Sequence, residues 1–228
     1  MLLRIAIVRP QAAQVCTYSL LLLPLRQGET MSTSQPHLVV LAGPNGSGKT
    51  TIAPAVLKGK LRVGEFVNAD LIAGGLSVFD PDLAAMAAGR VMLARLKELA
   101  ARHADFAFET TLASRSFAPW IADLMAAGYR FHLLFLWLPS PDLAVARVAD
   151  RVQAGGHDVP EETIRRRYRA GLRNFFSLYS PLATTWEMLD NSDMQAVRVV
   201  AQGHGNVTDL VRNGTLWSRI EEEYRHGQ

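Results

Sequence analysis

The 228-residue sequence holds a single cysteine, Cys16. That excludes a disulfide framework and a cysteine-rich zinc site, suits a reducing compartment, and makes the cytoplasm the expected location. No apolar run approaches the roughly 20 residues that a membrane-spanning helix needs. The run at residues 20–24 is far shorter, sits between Pro10 and Pro24, and has no small-residue cleavage site after it. An excess of one charge is missing too. Lys and Arg number 24 and Asp and Glu 21, for a net charge of +3. Setting aside Arg4, Arg9, Arg26 and Glu29 of the first 30 residues leaves 21 basic and 20 acidic residues, so the rest offers no general attraction for nucleic acid or membrane. With 49% hydrophobic and 20% charged residues the chain is neither disordered nor fibrous. Also absent are an N-K-x-D guanine signature and an L-S-G-G-Q transporter signature, of which Gly74-Gly75-Leu76-Ser77 is only a scrambled fragment. His157 has no second His or Cys at metal spacing and reads as a loop residue bonded locally.

The first thirty residues differ in character from the remainder of the chain. Met31 opens a polar stretch that leads into the apolar run at 38–42, so residues 1–30 are expected to be a poorly ordered or mis-started extension, with a weak signal peptide as the competing reading. Residues 31–228 form the expected domain. Short β-rich runs at 37–42, 65–68, 106–109, 129–138, 186–189 and 196–201 alternate with helical patterns, which predicts an α/β fold with a parallel sheet and helices on both faces. Asp80-Pro81 and Ser140-Pro141 each pair a capping residue with a proline suited to the first turn. Gly128 stops the helix containing Phe117, Ile121 and Leu124. A further helix is expected to begin near Asp158-Val159-Pro160-Glu161-Glu162, and the amphipathic stretch 210–224 to pack back on the sheet.

The strongest motif is Gly43-Pro44-Asn45-Gly46-Ser47-Gly48-Lys49-Thr50, a match to G-x-x-x-x-G-K-[ST] placed directly after an apolar strand and before a helix. Glycines there let the backbone curl with its N–H groups inward, forming a nest for phosphate at a helix N-terminus. Lys49 is expected to neutralise the β- and γ-phosphates of ATP and the Thr50 hydroxyl to hold Mg²⁺, with Thr51 completing the nucleotide-binding set.

The position of acids separates switches and motors from kinases. The most apolar strand, at 132–138, ends in Pro139-Ser140 rather than in a Walker B carboxylate, whereas two shorter strands are closed by carboxylates, Asp70 just past the carboxyl end of one and Glu109 at that of the other. In an open parallel sheet those ends lie on the rim that carries the phosphate loop. Asp70 is the expected base for an acceptor hydroxyl, with capping of the following helix as its alternative role. Asn68, Glu109 and Thr111 are expected on the substrate side, although Thr110 and Thr111 could also cap a turn. Arg147 and Arg151 share a helix face, Gly155-Gly156 ends that helix, and Arg165-Arg166-Arg167-Tyr168-Arg169 lies on the next, the layout of a helical lid over residues 141–170. Arg151, Arg166 and Arg167 are the arginines expected to meet the transferring phosphoryl group. Asp190-Asn191-Ser192 either borders the adenine or forms an Asx turn.

Taken as an ordered set, the phosphate loop, Val67-Asn68-Ala69-Asp70, Phe108-Glu109-Thr110-Thr111-Leu112, the glycine turn at 155–160, Arg166-Arg167-Tyr168 and Asp190-Asn191-Ser192 resemble the zeta-toxin family over residues 36–195, most closely its bacterial branch described as predicted ATPases. The resemblance implies a three-layer P-loop kinase fold and ATP-dependent phosphorylation of a sugar hydroxyl on UDP-N-acetylglucosamine, which would poison cell-wall precursor synthesis, with an antitoxin as partner. By the same resemblance Lys49 contacts ATP, Asp70 is the base, Glu109 and Thr111 lie on the substrate side, and lid arginines contact phosphate. Two other readings remain beside it: a nucleotide-binding regulatory ATPase acting with a protein partner, and a polynucleotide kinase gripping a strand with residues 165–169.

Overall fold

The computed structural model describes residues 35–61, 63–76, 81–193 and 196–225. Cys16, Met31, the expected extension at 1–30 and the Asp80 cap lie outside them. Strand β1 (His37–Ala42) is buried along its whole length, as its unbroken apolar run requires of a central parallel strand covered on both faces. It is flanked by β3 (Phe106–Thr110) and β4 (Arg130–Trp137), with β2 (Glu65–Val67) outside β3. Beyond β4 come β5 (Thr185–Asp190), β6 (Arg198–His204) and β7 (Val207–Val211), giving the order β2-β3-β1-β4-β5-β6-β7. The first five strands are parallel, while β6 and β7 run antiparallel to their neighbours.

That antiparallel edge makes the expected parallel sheet a mostly parallel, mixed one. The β7 strand alternates exposed and half-buried residues, so it has the sequence pattern of an edge rather than the apolar run of a core strand. The expected strand at 196–201 shifts to Arg198–His204 for the same reason, because it pairs with β7 through a tight turn at Gly205.

The helices are α1 (Lys49–Ala53), continued by a π-helical segment (Pro54–Leu61), α2 (Ala69–Leu76), α3 (Pro81–Ala101), α4 (Phe117–Ala126), α5 (Pro141–Gln153), α6 (Glu161–Asn174) and α7 (Gly214–Tyr224). One face of the sheet is covered by α1 and its continuation, through Ile52, Ala53, Val56 and Leu57 against Val39, Leu41, Leu134 and Leu136. Residues from α3, α4, α5, α6 and α7 build the larger core on the other face, where Phe135, Phe175, Trp186 and Trp217 meet ring to ring. Local chemistry sets several boundaries. The Ser140 hydroxyl accepts from the Leu143 N–H at 3.2 Å and Pro141 comes next, and α4 ends before Gly128 at φ 97°. Pro160, not Asp158, precedes α6, since the Asp158 carboxylate accepts from the adjacent Val159 N–H. Of the closing stretch, α7 packs back through Trp217 and Ile220.

Candidate active site

The phosphate loop leaves the carboxyl end of β1 and enters α1. Gly43, Gly46 and Gly48 have φ values of 138°, 76° and 85°, conformations that side chains with a Cβ rarely adopt. Lys49 is 6% exposed, and its ammonium donates at 2.9 Å to the carbonyls of both Gly43 and Pro44. Burial lowers its pKa, opposed by the charges of Glu109 and Asp70 and assisted by Arg151.

Strand pairing brings Glu109 to this loop. Leu41 lies opposite Glu109 in the β1–β3 register, so the carboxylate ends beside the start of α1. It accepts from the Thr50 hydroxyl at 2.9 Å and from the Asn68 amide at 2.6 Å, and stands 3.7 Å from the Lys49 ammonium. The longest apolar strand, β4, supplies no such group; the neighbour of β1 that serves the loop is the shorter β3. Thr50 and Glu109 together present a hydroxyl and a carboxylate, hard oxygen donors of the kind Mg²⁺ accepts when a nucleotide supplies further oxygens. Among the described residues no group of three or more His, Cys, Asp or Glu is placed to hold a metal by itself.

Asn68, expected to touch substrate, is 4% exposed and engaged at both ends. Its amide meets Glu109, while its carbonyl accepts from the Asp70 and Leu71 N–H groups at 2.8 and 3.2 Å. Asn68 therefore caps α2, the role that residue type alone allows for Asp70. The Asp70 side chain is exposed and lines the same cavity as Lys49, Thr50, Glu109 and Arg151.

The cavity brings together Asn45, Gly46, Gly48, Lys49, Thr50, Thr51, Asp70, Glu109 and Arg151 of the expected site. Thr111 does not line it. Thr110 and Thr111 accept from the N–H groups of Leu112 and Ala113, which makes them turn caps. Leu112 sits at φ 54°, and the buried Asn174 amide of α6 holds that turn through the Leu112 and Ala113 carbonyls at 2.7 and 3.2 Å. The lid arginines divide. Arg151 lines the cavity and donates to the His157 carbonyl at 2.7 Å. Arg166 is exposed on the far side of α6, in a groove with Glu162, Arg169 and Arg173, and Arg167 is not among the cavity residues. Arg165 pairs with Asp142 and Glu161. The buried face of α6 carries Ile164, Tyr168 and Leu172, so its phase turns position 166 outward.

A family model of the AAA domain matches residues 38–173, well over half of the chain. The chain belongs to this AAA-domain family (AAA_33). An uncharacterised protein of Haemophilus influenzae is 28% identical over 134 residues, which make up 59% of this chain and 94% of the relative. Among solved structures, the AvrRxo1-ORF1:AvrRxo1-ORF2 complex with ATP matches at TM-score 0.66 and 18% identity, over 82% of this chain and 63% of that one. This AAA-domain protein thus spans about 63% of the AvrRxo1 chain it matches. The PezAT toxin–antitoxin system of Streptococcus pneumoniae matches at TM-score 0.58 and 16% identity, over 90% of this chain and 83% of that one. Those likenesses show a shared α/β P-loop fold.

Two further cavity residues of this AAA-domain protein stand outside the expected catalytic and binding set. The pattern shows Arg147 only as sharing a face with Arg151, and Asn191 only as a candidate for the adenine border or a turn. The Asx turn is present, with the Asp190 carboxylate accepting from the Ser192 N–H at 2.8 Å, yet Asn191 also lines the cavity. No helix among the described residues is long and apolar enough to cross a membrane.

Proposed function

We propose that the protein is a Mg²⁺- and ATP-dependent small-molecule kinase. The observation that carries this reading is the pairing of two acids in one cavity with the phosphate loop: Glu109 drawn in against Thr50 and Lys49, Asp70 exposed at the mouth. Lys49 and the loop N–H groups bind the β- and γ-phosphates, and Arg151 faces them from α5. Thr50 and Glu109 would hold Mg²⁺, which when bound neutralises charge on those phosphates. Asn68 keeps Glu109 in place and sets the start of α2, from which Asp70 reaches the acceptor. The Asp70 carboxylate takes the proton of the acceptor hydroxyl as its oxygen bonds to the γ-phosphorus; the bond from that phosphorus to the β–γ bridging oxygen breaks and ADP leaves.

The zeta-toxin resemblance of residues 36–195 supports a hydroxyl of UDP-N-acetylglucosamine as the acceptor, an antitoxin-type protein partner and a cytoplasmic location. The fold shared with PezAT is consistent with that assignment. Transfer of label from γ-labelled ATP to UDP-N-acetylglucosamine, beside a panel of nucleotides and amino-sugar compounds, tests it; label recovered only as free phosphate overturns it. The second reading, a regulatory ATPase, draws on the family match and on Glu109 beside Thr50, an arrangement that also suits hydrolysis. It predicts that Asp70→Asn leaves ATP turnover intact.

A further inference from the structure

The phosphate loop is gripped from outside at two points, and a single arginine joins the two grips. At the first, α5 packs directly on Gly46: a Cβ there would lie 2.8 Å from the Ala144 carbonyl oxygen and 3.1 Å from the Arg147 Cβ. At the second, the Asn191 amide, 6% exposed, donates to the Ser47 carbonyl at 2.7 Å across 144 residues of sequence. It fills the space that Gly48 leaves, where a Cβ would stand 2.6 Å from the Asn191 nitrogen. Arg147, projecting from α5, donates to the Asn191 and Ser192 carbonyls at 2.7 and 2.8 Å, a two-pronged hold on consecutive peptides. Asn191 lies beyond residues 38–173 matched by the family.

We infer that Asn191, held by Arg147, is a positioning residue that aims the phosphate loop's N–H donors. The physical reason is the planarity of the peptide. In a trans peptide the C=O and N–H point in opposite directions. Tying the Ser47 carbonyl to Asn191 therefore fixes the direction of the Gly48 N–H on the opposite edge of the same peptide, in a loop whose Gly48 and Lys49 line the cavity. Without the amide donor, the left-handed Gly48 leaves this peptide free to rotate, since glycine tolerates either sign of φ. The loss then falls on phosphate recognition and leaves the nucleoside contacts alone. This inference rests on the nucleotide-binding part of the proposed function and not on phosphoryl transfer.

Asn191→Asp, which keeps the shape but replaces the donor by an oxygen facing the Ser47 carbonyl, and Asn191→Ala are compared with the wild type by calorimetry using ATP, inorganic tripolyphosphate and adenosine, without turnover. Both variants are expected to bind ATP and tripolyphosphate about 10- to 100-fold more weakly, from one lost donor and one misdirected charge-assisted bond, with adenosine unchanged. Tripolyphosphate binding equal to wild type, or an equal loss for all three ligands, overturns the inference. Should the Asn191 variants not fold, as judged by thermal melting, Arg147→Lys carries the test. Losing the two-pronged hold is expected to weaken tripolyphosphate about 3- to 10-fold, again without effect on adenosine, and an unchanged affinity counts against it. A wild type that binds tripolyphosphate but labels no acceptor fails the kinase reading and leaves the positioning role standing.

Discussion

The two sides of the cavity are built differently. On the loop side, Lys49, Thr50, Asn68 and Glu109 form one cluster of hydrogen bonds and an ion pair built on the buried Lys49 and Asn68, with Thr50 exposed, each tied to at least one other. On the α5–α6 side, Arg151 reaches the cavity while Arg166 faces solvent and Arg165 is taken up by Asp142 and Glu161. Buried polar groups must find partners, and that demand fixes their geometry. Exposed arginines carry no such demand, so their direction follows from the phase of the helix that bears them. One side is preorganised by its own interactions; the other is placed by the packing of Ile164, Tyr168 and Leu172.

If this contrast holds, substitutions on the loop side are the more damaging. Lys49→Met is expected to lower phosphoryl transfer by roughly 10³-fold or more, since it removes the fixed cation facing the phosphates; initial rates with γ-labelled ATP measure it. Asp70→Asn is expected to lower kcat by about 10²- to 10⁴-fold while ATP affinity stays near wild type. A variant that keeps its kcat would place the base elsewhere. On the α5–α6 side, Arg151→Ala is expected to lower kcat by about 10- to 100-fold and Arg166→Ala by less than about 2-fold, as for a solvated charge. Rates for the pair, measured side by side, break the comparison if Arg166 proves the costlier loss.

The smallest expected effect belongs to the opposite end of the sheet. There His37 and His132 meet at 2.9 Å, with His132 also bonded to Thr185 and with Asp105 and Arg130 close by. Burial, helped by His37 and Arg130, holds His132 down to about 3, against an ordinary 6.5. Between those values the unfolded chain binds the extra proton, so this contribution to stability is complete above the ordinary value and is lost as the pH falls through the window. The urea midpoint of the wild type is expected to drop on acidification from pH 7 to 5, and His132→Gln to flatten that drop. Phosphate affinity is not expected to track it, because this pair lies at the amino ends of β1 and β4 while the loop leaves a carboxyl end.

Motif and strand-end chemistry were legible where a function depends on residues adjacent in sequence. The phosphate loop is one such unit: its glycines, lysine and hydroxyl all sit within eight positions after β1, so their spacing alone describes the nest they make. Asp70 and Glu109 could be nominated because one follows and the other closes a short apolar strand. What Glu109 does could not be read, because its partner Thr50 is 59 residues away and meets it only through the β1–β3 pairing. Asn68 shows the same limit. Its type suits a cap or a ligand contact equally, and only the closeness of Glu109 and the α2 N–H groups consumes both ends of its amide.

By itself, then, the sequence determined an α/β chain with a phosphate loop, most strand positions, the Ser140 cap and the Gly128 stop, because these derive from local periodicity and the conformational preferences of glycine, proline and serine. Tertiary structure alone decided that β6 and β7 turn antiparallel, that Glu109 rather than a residue of β4 serves the Thr50 hydroxyl, and that Arg147 and Asn191 brace the loop. Each of those rests on groups far apart in the chain meeting across a sheet whose strand order no local pattern encodes, and on buried polar atoms that accept only the partners packing brings within reach.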